Sequence, residues 1–139
     1  MLKYRLLHPE LARALGAAGH GSKILIADGN YPAGTGAAPG ATRIYLNLAP
    51  GLVGVTDVLR VLVDAVPIEA AEVMLPAEGP EPAIFAEFRK VLGDQPPLHP
   101  HGRFEFYAAA HGPDTAIAIA TGEQRIYANL LLTIGVVKP

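Results

Sequence analysis

Ile24-Leu25-Ile26-Ala27 is an unbroken apolar run, with Gly19-His20-Gly21 before it and Asp28-Gly29-Asn30 after it. A strand without polar alternation has to be covered on both faces, so the run calls for a sheet with a layer on either side. Ligands of open α/β sheets bind at the carboxyl ends of the strands. Asp28 and Asn30 fall at that end, where polar groups do chemistry. His20 falls just before the strand, and two flanking glycines leave its ring little to pack against nearby in sequence.

The 139 residues suffice for one domain with a substantial core, and 1–139 is read as a single domain. Only 17% of the residues are charged while 50% are apolar, which points to surface hidden in subunit contacts. The net charge of -2 comes with no basic block, so nucleic acid and anionic membranes are not expected partners. The absence of cysteine removes disulfides, thiolate zinc sites and cysteine nucleophiles together. Lys3 and Arg5 flank only Leu6-Leu7 before Pro9, so a secretory leader is not expected, and no apolar run approaches a membrane span. The expected location is the cytoplasm.

Along the chain, His8-Pro9-Glu10 opens a helix whose stripe is Leu11, Ala14, Leu15 and Ala18, with Gly19 expected as its left-handed cap. Residues 29–42 are a Gly-, Ala- and Pro-rich loop, expected over the site. Arg43 to Leu48 alternates as a half-buried strand, with Ile44, Leu46 and Leu48 on one face. Thr56 is expected to cap a helix over 57–66, Ile68 to Met74 reads as a strand, and Ala83 to Leu92 as an amphipathic helix stopped by Gly93. Residues 94–102 are proline-rich and carry no assignable period. Arg103 to Ala110 is read as helix because its alanines outweigh the alternation of Phe104 and Phe106. Ala116 to Ala120 and Tyr127 to Ile134 are the last strands. Strands separated by helices predict an α/β fold, three layers α/β/α around a parallel or mixed sheet.

Three groups stand out by position: His20, Asp28, and the pair Tyr127 and Asn129, which two residues apart on a strand would share a face. Imidazole titrates near neutrality and can give and take a proton within one turnover, and a carboxylate can orient it or a substrate hydroxyl. A turn residue is an equally ordinary role for an Asp before Gly29. His99-Pro100-His101 lacks a third ligand and is not read as a metal site. Gly19-x-Gly21 precedes its strand, so it is not a dinucleotide fingerprint, and Gly-x-Ser-x-Gly is absent.

Four segments occur in order: Gly19-His20-Gly21; Asp28-Gly29-Asn30-Tyr31-Pro32-Ala33; Arg103-Phe104-Glu105-Phe106-Tyr107; and Thr121-Gly122-Glu123 leading to Tyr127-Ala128-Asn129. Through them the chain resembles, nearly end to end, the family of ribose pyranases and L-fucose mutarotases. The resemblance implies a cytoplasmic sugar mutarotase that needs no cofactor and no metal and forms a ring-like homo-oligomer, often a decamer, with sites between subunits. It assigns His20 as the catalytic histidine and general acid. Tyr127 follows as partner base or relay, and Asp28, Arg103, Tyr127 and Asn129 as groups that hold the sugar. Arg-Phe-Glu-Phe-Tyr and Asn-Tyr-Pro-Ala lean towards the fucose branch, since pyranases tend to have histidine at the place of Arg103. Ala128 is more typical of pyranases, and the Arg-Ala-Asp-Gly segment of fucose mutarotases is missing. L-fucose is the expected substrate, with D-ribose pyranase activity, or sugar binding without catalysis, as the alternatives. Among the bland readings, Arg103 would pair with Glu105 or Glu123, and Leu130 to Leu132 would be a core strand rather than a subunit contact.

Overall fold

The computed structural model describes residues 1–93 and 96–139. Ten elements follow one another: α1 (Pro9–Ala17), β1 (Lys23–Ala27), β2 (Thr42–Tyr45), α2 (Val55–Ala65), β3 (Ile68–Met74), α3 (Ile84–Leu92), β4 (Leu98–His101), α4 (Arg103–Ala110), β5 (Thr115–Ala120) and β6 (Leu130–Ile134). The six strands form one sheet in the order β2-β5-β1-β6-β3-β4. β1 and β2 run parallel to β5, β3 runs parallel to β4, and β6 lies antiparallel between β1 and β3. The first five strands therefore share one direction. Their carboxyl ends, together with the start of β6, make one edge of the sheet.

Alternation along the strands divides the core. Ile24, Ile26, Ile117, Ile119, Leu130 and Leu132 face the helices α1, α2 and α3. Leu25, Ala27, Ala118, Leu131 and Met74 face α4 and the loop after β1. The mixed sheet with layers on both sides is the α/β architecture that the apolar run of β1 requires. Phe85 and Phe88 of α3 are fully buried, and truncating either to alanine costs about 3–5 kcal/mol. Phe106 is buried and Phe104 exposed, because two residues apart on a helix point to nearly opposite sides. α4 is thus a helix although its aromatic residues alternate.

The loop at 29–41 is packed rather than loose. Ala37, Ala38 and Ala41 are buried, the Tyr31 hydroxyl donates to the Gly36 carbonyl at 2.7 Å, and the Arg43 guanidinium donates to the carbonyls of Ala38 and Ala41 at 3.1 and 2.8 Å. The segment Thr121-Gly122-Glu123 has a steric reason for its glycine. A Cβ at Gly122 would lie 2.2 Å from the Leu52 carbonyl oxygen and 2.3 Å from that of Ala49.

Several local expectations are corrected. The left-handed glycine after α1 is Gly21, at φ 83°, and not Gly19; the helix ends at Ala18 in extended conformation. α2 begins earlier, with Gly54 as its cap, and Thr56 is buried in the first turn. There the Asp57 carboxylate accepts the Gly54 N–H at 3.0 Å, a bond that needs no side chain at position 54. β2 stops at Tyr45 and Leu48 is exposed, because after the Leu46 N–H donates to the Ala120 carbonyl the chain turns away, the Leu48 N–H donating to the carbonyls of Leu46 and Leu52. β6 starts only at Leu130, so Tyr127 and Asn129 are not on a strand. Leu130, Leu131 and Leu132 are fully buried at the sheet centre. They are core and offer no contact surface. Asp94 and Gln95 of the proline-rich stretch lie outside the described residues, and β4 occupies part of the remainder.

Candidate active site

A cleft of about 220 Å³ opens at the carboxyl edge, lined by Asp28, Asn30, Tyr31, Met74, Arg103, Tyr107, Ile126, Tyr127 and Asn129. Most come from near strand ends: Asp28 follows β1, Met74 ends β3, Arg103 opens α4 two residues after β4, and Asn129 comes just before β6. The antiparallel β6 matters here, since its amino end brings Tyr127 and Asn129 to the edge where the other strands finish.

Asp28 and Asn129 are the fixed pair of the cleft, 4% and 3% exposed. The Asp28 N–H donates to Asn129 Oδ1 at 2.8 Å, and Asn129 Nδ2 donates back to Asp28 Oδ2 at 3.0 Å. This reciprocity sets the amide orientation, and one Nδ2 hydrogen remains for another acceptor. Asp28 also accepts the backbone N–H of Asn30 at 3.0 Å and of Ala128 at 3.3 Å. Burial pushes the Asp28 carboxyl above its ordinary value, opposed by hydrogen bonds from Asn30, Ala128, Tyr31 and Asn129. The bond to Ala128 fixes the turn that carries Tyr127, whose φ of 59° is the left-handed conformation that side chains rarely adopt. Asp28 is thus both a turn residue and a lining group, and the two roles are not alternatives.

Arg103 is exposed and stacks on aromatic rings, its guanidinium carbon 5.6 Å from the Tyr107 ring centre and 5.8 Å from that of Phe104. Tyr107, with Tyr127 near, holds it further into its charged range. The alternative of an ion pair with Glu105 or Glu123 is not what is observed: Glu123 is held by Arg125, whose Nη2 lies 2.9 Å away. Tyr31 packs at 5.3 Å from the Tyr107 ring, and burial, then Tyr107 and Asp28, push its hydroxyl well above the ordinary tyrosine range.

His20 is elsewhere. It precedes β1, and at about 3.3 Å per residue β1 alone sets the two sheet edges roughly 13 Å apart. The ring is exposed, with Nε2 at 3.0 and 3.2 Å from the two carboxylate oxygens of Glu69. Of the site residues read from sequence, the structure brings together Asp28, Arg103, Tyr127 and Asn129 and leaves His20 on the opposite edge.

Tyr107, Tyr31, Met74 and Ile126 were not singled out from sequence as site residues. Tyr107 was legible, because it follows Arg103 at i+4 within one helix and must share its face. Met74 and Ile126 carried no signal beyond their apolar character. A larger groove of about 760 Å³ shares Ile126 and Tyr127 with the cleft but half of its lining is proline and alanine, and the convergent polar groups are in the smaller one.

A second polar cluster lies on the α4 face of the sheet. Glu72 Oε1 is 2.8 Å from His101 Nε2, and Glu72 Oε2 accepts from Lys23 Nζ at 2.7 Å. The His99 ring packs edge-on against that of His101, with centroids 4.9 Å apart. Burial raises the Glu72 carboxyl, but Lys23 and His101 outweigh it and hold it below the ordinary glutamate value of 4.5. Arg125 does the same for Glu123. A carboxyl held low when folded contributes stability above its unfolded value, and that stability disappears as pH falls through the folded value. Thermal unfolding followed from pH 7 downwards is therefore expected to show falling stability below about pH 4.5. Glu72→Gln and Glu123→Gln should each flatten that fall.

A mixed sheet with a polar cleft at its carboxyl edge, lined by one carboxylate, two amides, three tyrosines and an arginine, is an arrangement suited to a small hydroxyl-rich molecule. The chain belongs to the RbsD / FucU transport protein family, whose family model matches residues 1–137. It is 34% identical over 136 residues to the D-ribose pyranase of Paracidovorax citrulli, covering 98% of each chain. It is 33% identical to the fucose mutarotase of Homo sapiens, covering 94% of this chain and 90% of that one. Among solved structures, Bacillus subtilis RbsD complexed with D-ribose has a TM-score of 0.78 at 31% identity, covering 99% of this chain and 100% of that one. The fucose mutarotase of Streptococcus pneumoniae in complex with L-fucose has a TM-score of 0.82 at 26% identity, with the same coverage. Among the described residues no helix is long and apolar enough to cross a membrane.

Proposed function

We propose that this protein is a monosaccharide mutarotase, an isomerase that interconverts the anomers, or the pyranose and furanose forms, of a sugar without a cofactor. The observation that carries the reading is the Asp28–Asn129 pair in the cleft, in a family where one solved relative holds D-ribose and another L-fucose. The reaction opens the ring to the aldehyde and closes it again. A proton goes to the ring oxygen as its bond to the anomeric carbon breaks, and the anomeric hydroxyl loses one. Rotation about the adjacent carbon–carbon bond and the reverse transfers complete the exchange. Asp28 and Asn129 bind sugar hydroxyls, Arg103 binds oxygens near the anomeric centre, Tyr127 is base or relay, and His20 is the general acid.

No single chain brings His20 to this cleft, so the working site is shared: His20 of one copy completes the cleft of the next. The low charge content of the chain accords with such an assembly, a ring and in the fullest form a decamer. The enzyme works in the cytoplasm. L-fucose is the preferred substrate, a reading supported by Arg103 and Tyr107 of the Arg-Phe-Glu-Phe-Tyr segment lining the cleft together, with Phe104 stacked on Arg103 from outside it. D-ribose is the second reading, favoured by Ala128 and by the D-ribose pyranase relative at 34% identity.

Exchange NMR with trace protein tests the activity on L-fucose, D-ribose and D-galactose. A catalyst exchanges the anomeric signals and leaves their equilibrium ratio unchanged. A sugar-binding module shifts populations only in proportion to bound sugar, and that result would refute catalysis. Arg103→His is expected to move relative activity from fucose towards ribose, and an unchanged ratio of the two rates would show that Arg103 does not set specificity.

A further inference from the structure

Three features meet at the sheet edge away from the cleft: the His20 loop, the start of β3 and the end of β6. The backbone around His20 is pinned. Gly21 N–H donates to the Ile134 carbonyl at 2.9 Å, Ile134 N–H donates to the Ser22 carbonyl at 2.9 Å, and Ser22 N–H donates to that of Gly19 at 3.0 Å. The His20 side chain is not pinned by packing. It is 59% exposed, and its neighbours are glycines, one of them at φ 83°. Among the described residues its one polar contact is Glu69, whose two carboxylate oxygens straddle Nε2 at 3.0 and 3.2 Å. Glu69 sits where the β3–β6 register shifts between Ile68 and Ala70. Opposite it is Gly135, where a Cβ would come within 3.2 Å of the Glu69 Cβ and 3.5 Å of Oε2. The glycine at 135 thus leaves room for the Glu69 side chain, whose carboxylate reaches the His20 ring.

We infer that Glu69 is the positioning residue for His20: its carboxylate accepts the Nε2–H, orients the exposed ring, and leaves Nδ1 as the nitrogen that exchanges protons with the sugar. This rests on the proposed mutarotase reaction, in which His20 acts at the cleft of a neighbouring copy. From the imidazolium form, the Nδ1 proton passes to the ring oxygen as its bond to the anomeric carbon breaks, leaving neutral imidazole with Nε2–H still on Glu69, and it returns to Nδ1 when the ring closes. Glu69 itself never touches the sugar. An exposed general acid on a flexible stem spends most of its time misaligned, and a misplacement of about 1 Å can cost about a hundredfold in rate.

The test compares wild type, Glu69→Ala and Glu69→Gln by exchange NMR, and adds ¹³C relaxation at the His20 ring carbons. Glu69→Ala is expected to lower kcat about tenfold to a hundredfold with KM held within about twofold, because Glu69 does not touch the sugar, which is held by Asp28, Arg103 and Asn129 of the neighbouring copy. Glu69→Gln keeps an acceptor oxygen and is expected to recover most of the loss. The His20 ring is expected to be rigid in wild type and mobile in Glu69→Ala. A kcat unchanged in Glu69→Ala, a Gln variant no better than Ala, or a ring equally mobile in wild type would each overturn the inference. Should wild type exchange no sugar, the mutarotase reading fails instead. The relaxation comparison still decides whether Glu69 holds the ring.

Discussion

Equal amounts of His20→Ala and Tyr127→Phe chains, each inactive alone, regain about a quarter of the native exchange rate after co-refolding, if the two residues meet across a subunit boundary. The fraction follows from random mixing. A shared pocket works only when its histidine comes from a Tyr127→Phe chain and its tyrosine from a His20→Ala chain, and each occurs in about half the positions. The structural ground is the position of the two residues on opposite edges of one sheet, with His20 before β1 and Tyr127 beside the carboxyl ends. Refolded mixtures are checked for assembly by light scattering and for composition by mass spectrometry. Persistent inactivity in verified mixed oligomers would place the whole reaction in one chain and remove the shared site.

His20→Ala alone is expected to lower exchange by about 10²- to 10⁴-fold, the usual contribution of a positioned general acid. The fold should be untouched. The side chain is more than half exposed and its contact is the exposed Glu69, so unfolding should move by no more than about 0.5 kcal/mol. Urea titration beside the exchange assay separates the two effects. A folded, assembled His20→Ala protein with near-native exchange would remove His20 from the mechanism and leave Tyr127 as the acid to test.

By composition Leu130-Leu131-Leu132 fits apolar surface awaiting a partner subunit as well as it fits a core strand. It is the middle of the sheet, where β6 is hydrogen-bonded on both sides and every one of its side chains is buried. A short apolar run has the same composition in a central strand as on an interface, so composition cannot separate the two. The shared site now rests on the distance between His20 and the cleft. That distance was itself legible, since a strand has a known rise and His20 and Asp28 lie at its two ends.

Local periodicity determined much on its own. The continuous run of β1 required a layer on each face, the stripes of α1, α2 and α3 marked the faces they bury, and the alanines of α4 outweighed its alternating phenylalanines. These are interactions between residues a few positions apart, and the sequence displays them directly. The tertiary structure decided the rest. It placed β6 antiparallel between β1 and β3, which carries Asn129 back to Asp28 across 101 positions. It bent Tyr127 into a left-handed turn held by the Asp28 carboxylate, and brought Glu69 to His20 across 49. Such contacts depend on which strand pairs with which, and strand pairing is settled by the packing of the whole core rather than by any stretch of the chain.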